Sequence, residues 1–277
     1  MVHPIHKLQE EITSLCNITY KSVDGRQLQL DVFVPSKKLG EEPWHELLER
    51  PTPTLVYYHG GGWVEGDRFS RFLEVLPYLE KGWAVINVDY RLLQETDLFG
   101  GIEDCLDALN WVGEHAVEYN LDPAQVYVSG ESAGGHLALL TGMMNQESMR
   151  ELFAKKRTQK VAGIINWFGI TDVGKAVDFW NDPEYTRLID QGSKGIADSH
   201  YKRISPISYV TEDVPPIISI HGDADINVDV GQSSELHRKL DQLGVKNQLV
   251  IVPGKKHGGF SAEELTDCYD QIWKFFN

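Results

Sequence analysis

The chain has 277 residues, 42% of them hydrophobic and 10% aromatic, which suits a globular protein with a sizeable core; nothing approaches a membrane span. Its 41 acidic residues outnumber 26 basic ones, and the net charge of −15 repels nucleic-acid phosphates and anionic membranes, so neither is an expected partner. The three cysteines, Cys16, Cys105 and Cys268, are far apart and no C-x-x-C occurs, which argues against a disulfide framework and against a zinc site.

The opening Met1-Val2-His3-Pro4-Ile5-His6-Lys7 lacks a basic segment followed by an apolar run, so no signal peptide is read and the cytoplasm is the default compartment. Asn17-Ile18-Thr19 matches a glycosylation sequon by pattern alone. Val23-Asp24-Gly25-Arg26 is a turn between alternating segments at 17–21 and 28–34, an opening β-hairpin. Residues 36–53 are charged and proline-bearing, a surface excursion with a short helix expected around Trp44 and Leu47-Leu48. Then come short apolar runs at 55–58, 84–88, 126–128, 162–165, 217–220 and 249–252, the pattern of strands covered on both faces. Helices are expected between them at 70–81, 101–119, 133–145, 229–243 and 261–276; in the second, Ile102, Leu106 and Leu109 oppose Glu103, Asp107 and Glu114. This alternation predicts an α/β fold, a mostly parallel central sheet with helices on both faces. Its ligand site belongs at the carboxyl ends of the strands. With no linker and no internal repeat, residues 1–277 read as a single domain. Residues 171–206 break the alternation and are expected to form a small cap insertion above the strand ends. Trp273, Phe275 and Phe276 are expected to pack inward, and no oligomeric state is specified.

The chemistry centres on Gly130-Glu131-Ser132-Ala133-Gly134, a G-x-S-x-G between a predicted strand and a predicted helix. That context makes it a nucleophile elbow, with glycines where the tight turn leaves no room and a helix N-terminus behind the serine. A serine hydroxyl needs a base, an orienting acid and an oxyanion site. His257 follows the last strand and is the best-placed base. His3, His6, His45 and His115 lie in the tail or on polar stretches, His237 in a solvated helix, and His200 in the insertion; His59 and His136 read as structural. Either Asp223 or Asp225 could hold the imidazole, and Asp225 is preferred because it lies further into its loop. Asp223, Asp225, Asn227 and Asp229 imitate a calcium loop, but Val228 and Ser234 occupy the positions that need glycine and glutamate, so no metal and no cofactor is expected. His59-Gly60-Gly61-Gly62-Trp63 matches no phosphate-binding loop. It follows the first parallel strand, and the amides of Gly60 and Gly61, with that of Ala133, are expected to form an oxyanion hole. Trp63, Leu92, Trp167 and Phe168 are candidates for the substrate pocket, and Trp180 of the insertion is also expected near the serine.

These motifs, with Asp89-Tyr90-Arg91-Leu92 and His221-Gly222-Asp223-Ala224-Asp225, resemble the α/β-hydrolase superfamily, in its hormone-sensitive-lipase-like and feruloyl/acetyl esterase branches. The resemblance runs from about Leu28 to the C-terminus. It implies a carboxylesterase with Ser132, Asp225 and His257 as its triad, and a structural pairing of Arg91 with an acid such as Asp104. Leu93-Gln94-Glu95 departs from the Ala-Pro-Glu of hormone-sensitive-lipase-like enzymes, and their long N-terminal helical cap is not evident. The chain therefore looks closer to compact esterases whose substrates are small-molecule or carbohydrate esters. An arylformamidase would use the same apparatus. A non-catalytic ligand-binding relative would be expected to lack a triad member, and none is missing.

Overall fold

Two strands, β1 (Ile12–Val23) and β2 (Arg26–Pro35), form the expected hairpin, several residues longer than the alternation suggested. Asp24 and Gly25 turn it with positive φ of 50° and 82°, the backbone twist that two-residue hairpins favour. The computed structural model describes residues 12–35, 51–191 and 197–277. The helix expected around Trp44 and Leu47-Leu48 lies outside the described residues, as does most of Gln191-Gly192-Ser193-Lys194-Gly195.

The chain then alternates: β3 (Thr52–Tyr58), α1 (Phe72–Glu80), β4 (Ala84–Val88), α2 (Leu98–Glu114), β5 (Leu121–Glu131), α3 (Ala133–Met143), α4 (Gln146–Phe153) and β6 (Gly163–Trp167). It closes with β7 (Ile217–Gly222), α8 (Gly231–Gln242), β8 (Asn247–Val252) and α9 (Ala262–Phe276). The strands lie in the order β1-β2-β4-β3-β5-β6-β7-β8, with only β1 and β2 antiparallel to their neighbours. From β3 the chain moves outward to β4, then crosses back to β5 on the other side of β3. The loops after β3 and β5 therefore diverge, opening a crevice at the carboxyl edge where such sheets bind ligands.

Side-chain alternation sends Val56, Tyr58, Ile86 and Val128 to one face, where α2 and α3 add Ile102, Leu106, Leu137 and Leu140. Leu55, Tyr57, Val85 and Ile165 go to the other, covered by Val75 and Leu79 of α1 and Ile272 and Phe275 of α9. The C-terminal aromatics do pack inward: the Phe276 ring meets Tyr127 at 4.9 Å. Arg91 clasps Asp104 through Nε at 2.7 Å and Nη2 at 2.8 Å. Helix α4 lies outside the five expected helical stretches, as do the helices of the 171–206 insertion; it is a short surface piece whose start is capped by the Asn145 side chain. His237 corrects the solvated reading of its helix: it is buried, with Nδ1 2.6 Å from Asn247 Oδ1, because α8 turns that face onto β8.

Between β6 and β7, where 171–206 interrupts the alternation, the described residues include the short helices α5 (Val173–Trp180), α6 (Pro183–Ile189) and α7 (Ala197–Arg203). Asp172 and Asp182 cap the first two through their side chains. His200 is held within the insertion, its Nε2 3.1 Å from the Ile189 carbonyl.

Candidate active site

Ser132 sits between β5 and α3 with φ 53° and ψ −118°, backbone geometry that a non-glycine residue adopts only where its surroundings enforce it. The enforcing contact is α3 against β3. A Cβ on Gly134 would lie 2.0 Å from the Tyr58 carbonyl oxygen, so only glycine allows this approach. The Ser132 amide donates to the Trp167 carbonyl at 2.9 Å, tying the elbow to β6.

On the loop after β7, Asp225 Oδ1 accepts the amides of Asn227 and Val228 at 2.8 and 3.0 Å, and Oδ2 lies 2.7 Å from His257 Nδ1. Asp223 points elsewhere and accepts the Gly254 amide. Burial works to raise the Asp225 pKa, but hydrogen bonds from His221, His257 and the two amides outweigh it and hold the carboxyl far below the usual range. Ser132 and His257 line one cavity of about 830 Å³.

The glycine run after β3 lines the same cavity through Gly61 and Gly62, whose φ values are 109° and 59°. Gly60 stands one residue behind that wall, against Glu131, and Ala133 is buried as the first residue of α3. His59 stacks on Tyr90 with ring centroids 4.3 Å apart and meets the Gly60 carbonyl at 2.7 Å, which braces the loop. Burial lowers its pKa. His136 is likewise structural: its Nε2 meets the Ile204 carbonyl at 2.7 Å, and burial lowers its pKa to about 4.

Of the four pocket candidates, Trp167 and Phe168 line the cavity, with the Phe168 ring 4.6 Å from that of His257. Trp63 and Leu92 do not. The turn at Gly61-Gly62 reverses the chain, and Trp63, with φ 61°, drops into the core at 1% exposure, edge-on to His136. Leu92 packs against the same core from the bend before α2. Their places on the wall go to Phe179, Trp180 and Tyr185 from the 171–206 insertion and to Ile226 beside Asp225. Tyr185 also donates its hydroxyl to the Gly62 carbonyl, so the insertion grips the glycine loop directly.

Three further groups escaped the sequence reading. His221, at the end of β7, places Nε2 3.3 Å from Asp225 Oδ2 and 2.9 Å from the Val228 carbonyl, and its Nδ1 meets Ser233 Oγ at 2.8 Å. Its place in His-Gly-Asp-Ala-Asp was the available signal. The second is the Tyr185 contact, for which no local signal exists. The third is a polar cluster on the cavity wall, where Arg71 Nε meets Glu131 Oε1 at 2.6 Å and Arg71 Nη1 meets Glu74 Oε1 at 3.2 Å. Burial raises the Glu131 pKa to about 7, reinforced by Glu74 and opposed by Arg71.

The fold and the arrangement at the strand ends define an α/β-hydrolase of the carboxylesterase branch. The BD-FAE family model matches residues 44–240, and the chain belongs to that family. Among curated proteins it is similar to the esterase LipC of Mycobacterium tuberculosis, 28% identical over 223 residues that cover 76% of this chain and 53% of LipC. It is 29% identical to an esterase of Gibberella moniliformis over 235 residues, 80% of this chain and 71% of the other. The chain spans about half the length of several curated relatives it matches. A truncated carbohydrate esterase from gut microbiota superposes with a TM-score of 0.78 at 25% identity, covering 96% of this chain and 97% of the other. No helix among the described residues is long and apolar enough to cross a membrane, and they contain no group of side chains that could hold a metal ion.

Proposed function

We propose that the protein is a serine carboxylic ester hydrolase in which Ser132 is the nucleophile, His257 the general base and acid, and Asp225 the residue that holds the imidazole. The reading rests on the 2.7 Å contact between Asp225 and His257, with His257 lining the same cavity as a serine in elbow geometry. With Nδ1–H donated to Asp225, Nε2 of His257 is free to take the Ser132 proton as its oxygen attacks the ester carbonyl. The negative charge on the tetrahedral oxygen is met by the amide of Ala133 and those of the glycine loop, and loss of one such donor costs about 3 kcal/mol. Gly61 and Gly62 line the cavity where Gly60 does not, which favours those two amides as the loop's donors. His257 then protonates the leaving alcohol, and water repeats the sequence on the acyl-enzyme.

Insertion 171–206 acts as the cap, and Phe179, Trp180 and Ile226 give the cavity an apolar mouth suited to a short acyl or aryl group. The named esterases among the relatives favour ester over formamide substrates. The test is Ser132→Ala with p-nitrophenyl acetate and N-formylkynurenine as substrates. Turnover of the acetate by the native chain and its loss in the variant, with an unchanged melting temperature, are the expected results. Near-normal activity in the variant sinks the nucleophile assignment, and exclusive action on the formamide displaces the esterase.

A further inference from the structure

A mixed-charge cluster lines the same cavity as Ser132. Arg71 spans Glu131 at 2.6 Å and Glu74 at 3.2 Å, and the Tyr57 hydroxyl donates to Glu74 Oε2 at 3.1 Å. All four residues line the cavity, together with the rings of Trp167 and Tyr269, whose centroids are 5.4 Å apart. Glu131 immediately precedes the nucleophile, and its side chain is 8% exposed, against 51% for Arg71 and 40% for Glu74. The proposed ester chemistry has no step that uses any of them.

A need of the fold does not account for the cluster. Bringing a carboxylate this far out of water costs several kcal/mol before pairing, and well-packed apolar side chains of similar volume are commonly as stable or more so. Its chemistry points to a particular kind of ligand. The guanidinium is already committed between two carboxylates, which leaves a poor site for an anion. The carboxylates share one cation and one is pushed toward neutrality, which leaves a poor site for a second cation. Unused hydrogen-bonding capacity of both kinds remains: a guanidinium has five N–H donors, of which the two contacts above occupy Nε and Nη1, and each carboxylate has about four acceptor positions. Alternating donors and acceptors beside aromatic faces match neutral hydroxyl groups on a saturated ring.

Resting on the catalytic reading above, we infer that Arg71, Glu74, Glu131 and Tyr57 form a specificity subsite that hydrogen-bonds hydroxyls on the alcohol portion of the ester. Glu131 links the subsite to the nucleophile through the backbone they share. The experiment compares two acetates that differ in those hydroxyls, a monoacetylated methyl xylopyranoside and cyclohexyl acetate, by the ratio of their kcat/KM values. The native chain should favour the xyloside at least tenfold. Glu131→Gln and Glu74→Gln should each lower that ratio fivefold or more, whatever happens to both rates in common. Glu74→Gln, on a half-exposed helical turn, carries the comparison alone if the elbow variant does not fold. An unchanged ratio in Glu74→Gln, or a native preference for cyclohexyl acetate or for an anionic hemisuccinate ester, overturns the subsite. If Ser132→Ala is inactive while the ratio fails to respond, only the subsite falls; if Ser132→Ala hydrolyses both acetates normally, the catalytic reading falls with it.

Discussion

Replacing Asp225 by Asn tests the site at its most informative atom. The Asn227 and Val228 amides, 2.8 and 3.0 Å from Oδ1, require an acceptor there, so the Asn carbonyl oxygen must stay on that side. Its NH2 group then takes the place of Oδ2, 2.7 Å from His257 Nδ1 and 3.3 Å from His221 Nε2. A donor facing Nδ1 forces the other imidazole tautomer, with the proton on Nε2, and the base that should accept the serine proton becomes a donor. A forced tautomer of this kind in a serine hydrolase lowers kcat by about 10⁴, which corresponds to about 5.5 kcal/mol. Asp223→Asn is the matched control, because Asp223 accepts only the Gly254 amide among the described contacts and an Asn oxygen can do the same. We expect it to retain activity within about threefold. The assay is p-nitrophenyl acetate turnover with thermal unfolding of both variants alongside. A greater loss at Asp223 than at Asp225, with both folded, refutes the assignment of the acid and the tautomer argument with it.

Two further outcomes follow from the same region. Gly134→Ala puts a methyl group 2.0 Å from the Tyr58 carbonyl oxygen, and since both partners are backbone the change should cost about 3 kcal/mol or more, read as a lower midpoint in urea unfolding. Glu131, raised by burial from 4.5 to about 7, binds a proton more tightly in the folded chain than in the unfolded one. Its contribution therefore makes stability decline as pH rises from about 4.5 to 7, opposite in sign to Asp225, whose depressed pKa contributes stability that is lost on acidification. Glu131→Gln should flatten part of that decline in melting temperature across this window, and an unaltered pH profile would count against a buried carboxyl facing Glu74.

Much of the fold and the setting of Ser132 could be read from local signals, since each depends on short-range pattern. Continuous apolar runs such as 84–88 mark strands covered on both sides, and α2 shows its buried stripe in Ile102, Leu106 and Leu109. The elbow is legible because its glycines answer a steric demand made within five residues, and His257 because it follows the last strand directly. The choice between Asp223 and Asp225 is of another kind. Both lie on one loop, and which carboxylate meets an imidazole 32 residues away depends on how two loops turn at neighbouring strand ends.

The wall of the cavity was the least legible part, and Trp63 shows why. Its neighbours in sequence belong to the glycine loop, yet a reversal of chain direction at Gly61-Gly62 buries its ring, while Tyr185, 123 residues from Gly62, reaches back to hold that loop. Glu131 occupies an unspecified position of the G-x-S-x-G pattern, and only the fold brings Arg71 and Glu74 beside it from the start of α1. Periodicity and turn chemistry are properties of adjacent residues, so the sequence alone determined the alternating α/β architecture, the strained serine and the strand ends at which its partners belong. Side-chain direction at a strand end, and the pairing of groups drawn from distant loops, arise only when the sheet closes; the tertiary structure decided which acid meets His257 and what Ser132 faces.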